Sequence, residues 1–202
     1  MRKVASNRWA IAPLHKNRGG SRAMMYRAAR FEPSLIESES SMQQDREPLT
    51  LEQRVARIED VSAITSLKYR YAAFCDAGYD LDGLCSVFVP EGRWAANGYG
   101  DFKGHAEIRA YFAKLATTVV EVLHYVTSPR IDLAQDGQSA TGRFYLLCLC
   151  KSRRKDVPAI ADPVVIAGTY EDQFVKIDGR WLFRELVVDV RYSKRIPVGI
   201  KE

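Results

Sequence analysis

Histidine and cysteine are scarce in this 202-residue chain, with three of the first and four of the second. The histidines are His15, His105 and His124; no HxxxH or cysteine pairing accompanies them, so no metal site is expected. Cys75, Cys85, Cys148 and Cys150 form no CxxC. Cys148 and Cys150 fall on one face of a predicted strand, a poor arrangement for bonding to each other. The four read as free thiols, acting as small buried hydrophobes, in a reducing and therefore cytoplasmic compartment. No GK follows the turn glycines Gly98 and Gly100, so a phosphate cradle is absent. No GxSxG occurs, which removes a serine nucleophile elbow. No apolar run approaches about eighteen residues, so no membrane span is expected, and no apolar h-region marks a secretory signal. What these absences leave is acid–base work by side chains, with no cofactor.

Acidic residues are missing from one part of the chain. Residues 1–31 hold eight Lys or Arg and no acid, out of 30 basic and 25 acidic in all. The rest therefore carries 30 − 8 = 22 basic against 25 acidic side chains, so the formal +5 belongs to the N-terminal segment. The body has no general affinity for polyanions, and no nucleic-acid partner is expected. Residues 1–49 show no sustained period and read as a disordered basic arm or an over-extended start with Met42 as the first residue. An organellar transit segment ranks behind these.

The folded domain is expected over residues 50–193, with a tail over 194–202. Thr50 and Gln53 fit a capping box. Leu51, Val55, Ile58, Val61, Ile64, Leu67 and Tyr71 then recur at helical spacing. One helix of roughly 25 residues follows, stopped by Gly78. Asp80 or Asp82 can cap a short second helix through Leu84, Val87 and Phe88, ended by Pro90. Arg93–Ala96 reads as a short strand, with a turn at Asn97-Gly98. Residues 105–118 return to helical spacing. Four long strands follow over 120–133, 139–151, 164–176 and 180–192, with Asp136-Gly137 and Asp178-Gly179 as turns. The loop 152–163 reads as an exposed rim. Helices first and a strand meander after them argue α+β, a curved antiparallel sheet packed by N-terminal helices into a cone with a central cavity.

Asp76 closes the long helix, where a carboxylate opposes the helix dipole and needs compensation. His124 lies in a predicted strand. Together they could form an acid–base pair: the carboxylate fixes the tautomer and stabilises the imidazolium. Read singly, His124 also fits a core histidine and Asp76 a turn residue. Trp94, Phe88, Tyr111, Phe112 and Tyr145 are candidate pocket walls.

An ordered set of segments carries a resemblance. It comprises Tyr71–Gly78, Leu84–Phe88 with Trp94, Phe102–Gly104, His124–Thr127, Ala140–Arg143, Gly168–Asp172 and Asp178–Phe183. Over about residues 50–192 the chain resembles the SnoaL-like branch of the nuclear-transport-factor-two-like superfamily. Within that branch it looks most like the scytalone dehydratase, hexachlorocyclohexane dehydrochlorinase and bile-acid 7α-dehydratase group. The resemblance implies a cofactor-independent lyase or isomerase acting on a small hydrophobic cyclic substrate, with Asp76 and His124 as the dyad. Tyr71 matches the position of a polar catalytic helper. Some relatives carry an arginine about where Val187 stands; Arg191 shares the Val187 face and could act in its stead, or pair with Asp189 at an exposed strand end. Two other roles occur on the same fold: a non-catalytic binding or assembly subunit, and a polyketide cyclase or monooxygenase-like enzyme. A homodimer or homotrimer is implied as well.

Overall fold

The computed structural model describes residues 48–197. The arm expected over 1–49, Met42 included, lies outside the described residues except for Pro48 and Leu49, as does the tail beyond Pro197. Helix α1 (Leu51–Asp76) starts on the expected box: Thr50 accepts from the Gln53 amide and the Gln53 side chain accepts from the Thr50 amide. Its apolar stripe is buried only from Ile64 onward; Leu51 and Ile58 stay about two-thirds exposed, at 67% and 69%. The helix ends in a turn with Gly78 at φ 77° and Tyr79 at φ 64°, which lets the Tyr79 and Asp80 amides donate to the Cys75 and Phe74 carbonyls.

Asp80 caps α2 (Leu81–Ser86). The chain becomes strand β1 (Phe88–Ala96) sooner than expected. Phe88 and Pro90 belong to this strand and not to a helix; Pro90 falls inside a register irregularity between Phe88 and Arg93, where a missing N–H costs no ladder bond. Strand β2 (Gly100–Lys103) and helix α3 (Gly104–Thr118) follow. Then come β3 (Val119–Leu133), β4 (Ser139–Arg153), β5 (Ala161–Ile177) and β6 (Arg180–Arg195). Residues 194 and 195 are therefore sheet and not tail: Arg195 pairs with Val164, and the Ile196 amide donates to the Pro163 carbonyl.

The six strands lie in the order β2-β1-β6-β5-β4-β3. The sheet is mixed, not wholly antiparallel, because β1 runs parallel to β6. It is curved and open, with the helices on one face, an α+β cone. Phe144, Phe174, Phe183 and Leu186 from its inner face meet Ile64, Leu67 and Tyr71 of α1 in one core. Each such side chain contributes about 1.5–3 kcal/mol by leaving water.

β6 carries two bulges. Against β5, Phe183 and Glu185 face Phe174 and Gln173, and Val190 and Tyr192 face Gly168 and Ala167. Arg184 and Arg191 are thus the extra residues, and each reverses which alternate side chains face inward. Leu186, Val188 and Val190 point into the molecule; past Arg191 the inward set becomes Ser193 and Arg195.

Candidate active site

An apolar cavity of about 300 Å³ lies between the helices and the inner face of the sheet. Trp94, Tyr111 and Phe112 form an aromatic wall, with ring centroids 4.7–5.5 Å apart. Leu146, Ile166, Val188 and Val190 supply the sheet side, with Cys75, Cys148 and Cys150 as thiol lining. His124 lines it from β3.

The long helix and the third strand bring Asp76 and His124 together. The His124 Nδ1 is 2.7 Å from Asp76 Oδ1, and the His124 backbone amide donates to both carboxylate oxygens at 3.1 and 3.2 Å. These donors supply the compensation that a carboxylate at a helix C-terminus requires. A carboxylate only accepts, so Nδ1 carries the proton of the neutral ring. Nε2 is then the unprotonated nitrogen left for the cavity. The His124 side chain is 11% exposed.

Tyr71 also lines the cavity and is buried. Its hydroxyl accepts from Trp94 Nε1 at 2.8 Å and bonds to the Cys75 thiol one turn on. Burial raises the Tyr71 phenol well above its usual range, so it stays protonated. Burial also pushes the Cys75 thiol up to about 12, which makes it inert. Cys150 goes the other way: a hydrogen bond from Cys148 and the nearby Arg195 charge lower it against the effect of burial.

Trp94 lines the cavity, whereas four other candidate residues lie elsewhere. Phe88 packs edge-on to Tyr71 and against Phe183, within the core and off the cavity. Tyr145 is 54% exposed, because alternation along β4 sends Phe144 and Leu146 inward and Tyr145 out. Val187 and Arg191 lie on the outer face of β6, and Arg191 pairs with Asp189 at 3.0 Å. Loop arginine Arg154 is likewise no free rim residue: it makes two 2.8 Å bonds to the buried Asp162.

Two features of the structure have no motif in the sequence that announces them. Arg195 reaches the cavity from the end of β6. Lys68 and Asp172 form a fully buried pair at 2.8 Å directly behind Tyr71 and Tyr170, with the ammonium 3.1 Å from the Tyr170 ring centroid. Lys68 sits between Ile64 and Tyr71 at i+4 and i−3 on the buried stripe, which was the available signal. Among the described residues, no three His, Cys, Asp or Glu side chains are gathered as metal ligands.

The fold recurs among solved structures. A hexachlorocyclohexane dehydrochlorinase of type 2 matches with a TM-score of 0.64 at 22% identity, covering 73% of this chain and 95% of that one. A scytalone dehydratase-like protein of Novosphingobium aromaticivorans matches with 0.62 at 17% identity, covering 72% and 93%. An aromatic ring hydroxylase-like protein from the same organism gives 0.61 at 25% identity, covering 69% and 94%. No curated protein sequence matches the chain. The SnoaL-like domain model matches residues 56–187, which span α1 to the middle of β6 and include Tyr71, Asp76, Trp94 and His124. The chain belongs to the SnoaL-like domain family.

Proposed function

We propose that the protein is a cofactor-independent lyase or isomerase acting on a small, hydrophobic, cyclic substrate. The observation that carries this reading is the 2.7 Å contact between Asp76 and His124 at the wall of an apolar cavity. In an elimination, His124 Nε2 takes a proton from a carbon beside the leaving group. The C–H electrons become the C=C bond as the C–O or C–halogen bond breaks. Asp76 stabilises the imidazolium that forms. The Tyr71 phenol, kept protonated by burial, donates to a leaving oxygen. In an isomerisation the same base returns its proton to a neighbouring carbon. The dry walls strengthen these charges. The dehydrochlorinase and dehydratase names among the structural neighbours agree with this chemistry.

The protein is expected in the cytoplasm, as a homodimer or homotrimer. The experiment is turnover of a panel of cyclic β-hydroxy and β-halo compounds, followed by mass spectrometry. His124→Ala and Asp76→Asn should each lower kcat/KM about 10²- to 10⁴-fold. Unchanged rates in both variants would remove the dyad, and tight binding without turnover by the wild type would favour a carrier role.

A further inference from the structure

The cavity has two polar ends of different character. One holds His124. The other holds Arg195, brought inward by the bulge at Arg191, with Ser152 and Ser193 beside it. Arg195 Nη1 donates to the Ser152 carbonyl at 2.7 Å, Nη2 donates to the Ser152 hydroxyl at 3.1 Å, and Nη1 stands 3.4 Å from Asp162 Oδ2. Asp162 is 1% exposed and is gripped more closely by Arg154, through two 2.8 Å bonds. The Arg195–Asp162 contact is thus the longer one, and the Arg195 side chain is 40% exposed at the cavity edge. Bonding to Ser152 fixes its orientation in advance, so little rotamer entropy is lost when an anion arrives.

We propose that Arg195 is the anchor for a carboxylate on the cavity's ligand, so that the protein takes apolar carboxylic acids in preference to neutral analogues. The register gives the ligand's layout. His124 faces Cys148, Cys150 lies two residues along β4, and Val164 then leads across to Arg195. Three strand spacings and one two-residue step separate the two Cα positions by roughly 15 Å along the sheet, and the side chains reach inward from both ends. On the sheet floor between them lie Cys148, Cys150, Ile166 and Val190. A ligand with its carboxylate at Arg195 therefore lays its ring along an apolar floor and presents its far end to His124. Where the ligand binds does not depend on the acid–base reading; what happens to it there does.

The test compares naphthalene-2-acetate with naphthalene-2-acetamide by isothermal titration calorimetry. The wild type and Asp76→Asn should bind the acetate at least about tenfold more tightly than the amide, a charge-assisted bond's worth. Arg195→Gln should bring the two affinities within about twofold, while Arg195→Lys restores part of the preference. A purely structural Arg195 would weaken both ligands alike. Equal affinities in the wild type, a preference that survives Arg195→Gln, or no acetate binding at millimolar concentration overturns the proposal. The wild-type pair decides even should a variant fail to fold. Failure of the acid–base reading shows separately, as unchanged turnover in His124→Ala.

Discussion

Lys68 and Asp172 place opposite charges in a fully buried site packed by Tyr71, Phe144, Tyr170 and Phe183. Burial acts against both charged forms. It lowers Lys68 to about 8 although Asp172 opposes the shift, and raises Asp172 to about 6 although Lys68 opposes it. The linkage signs follow. Asp172 stabilises the fold below its ordinary carboxylate range, and this contribution is lost as pH rises through about 6. Lys68 stabilises it above its ordinary range, and this contribution is lost as pH falls through about 8. The pair is therefore least favourable between pH 6 and 8, where both groups are charged. A Lys68→Met/Asp172→Leu variant should gain most over the wild type in that window, measured by urea denaturation across pH. Lys68→Met alone should lose about 3–5 kcal/mol at neutral pH, because it strands a buried carboxylate. A flat pH difference would contradict the account.

At this scale the sequence was partly legible. Asp76 stood out because a carboxylate ends a helix without a basic partner in the last turn, but that defect does not say which residue compensates it; the pairing with His124 came from the family resemblance. Trp94 was a candidate pocket wall and Tyr71 a match to a family position, and the 2.8 Å bond between them was not legible. Lys68 was legible in principle from its place on the buried stripe. Asp172 alternates with Tyr170 and Phe174 on β5 and could have been read the same way.

Among the elements, helices and turns followed their local chemistry. The Thr50 capping box formed, and Asp178 and Gly179 both take positive φ, 49° and 74°, as a two-residue hairpin requires. Thr50→Ala should cost about 1 kcal/mol in thermal denaturation with no change in ligand binding. The bulges of β6 were illegible, because strict alternation puts Val187, Arg191 and Arg195 on one face. They depend on tertiary pairing. Opposite the second bulge, a Cβ on Gly168 would collide with the Asp189 carbonyl oxygen. Gly168→Ala should thus lose roughly 1–3 kcal/mol. It should also weaken naphthalene-2-acetate binding more than amide binding, since it disturbs the bend that turns Arg195 inward. Wild-type stability and an unchanged acetate preference would contradict this use of the bulge.

For the whole molecule, the outer face of the sheet is the open feature. Leu123 faces Leu149, Tyr125 faces Leu147 and Thr127 faces Tyr145 across β3 and β4, and the five apolar side chains are 39–54% exposed. An apolar ladder of this kind suits self-association, which is a prediction for this face. Sedimentation should give a dimer or trimer mass for the wild type and a monomer for Tyr145→Asp/Leu147→Glu, with the cavity still binding ligand. A monomeric wild type would contradict self-association through this face. The α+β order was legible from the chain because helical and strand periods segregate cleanly. The parallel pairing of β1 with β6 was not, since it joins segments about ninety residues apart.

We propose that Asp76 holds the neutral His124 ring with its proton on Nδ1, so that Nε2 serves the cavity as a base. Long-range ¹H–¹⁵N correlation spectra of ¹⁵N-histidine-labelled protein read this directly, because the chain has three histidines and His124→Gln assigns the one that matters. At a pH where the ring is neutral, the account predicts a protonated Nδ1, an unprotonated Nε2, and an Nε2 signal displaced when naphthalene-2-acetate fills the cavity. A proton on Nε2, or a His124 signal that the bound ligand leaves unmoved, would contradict it.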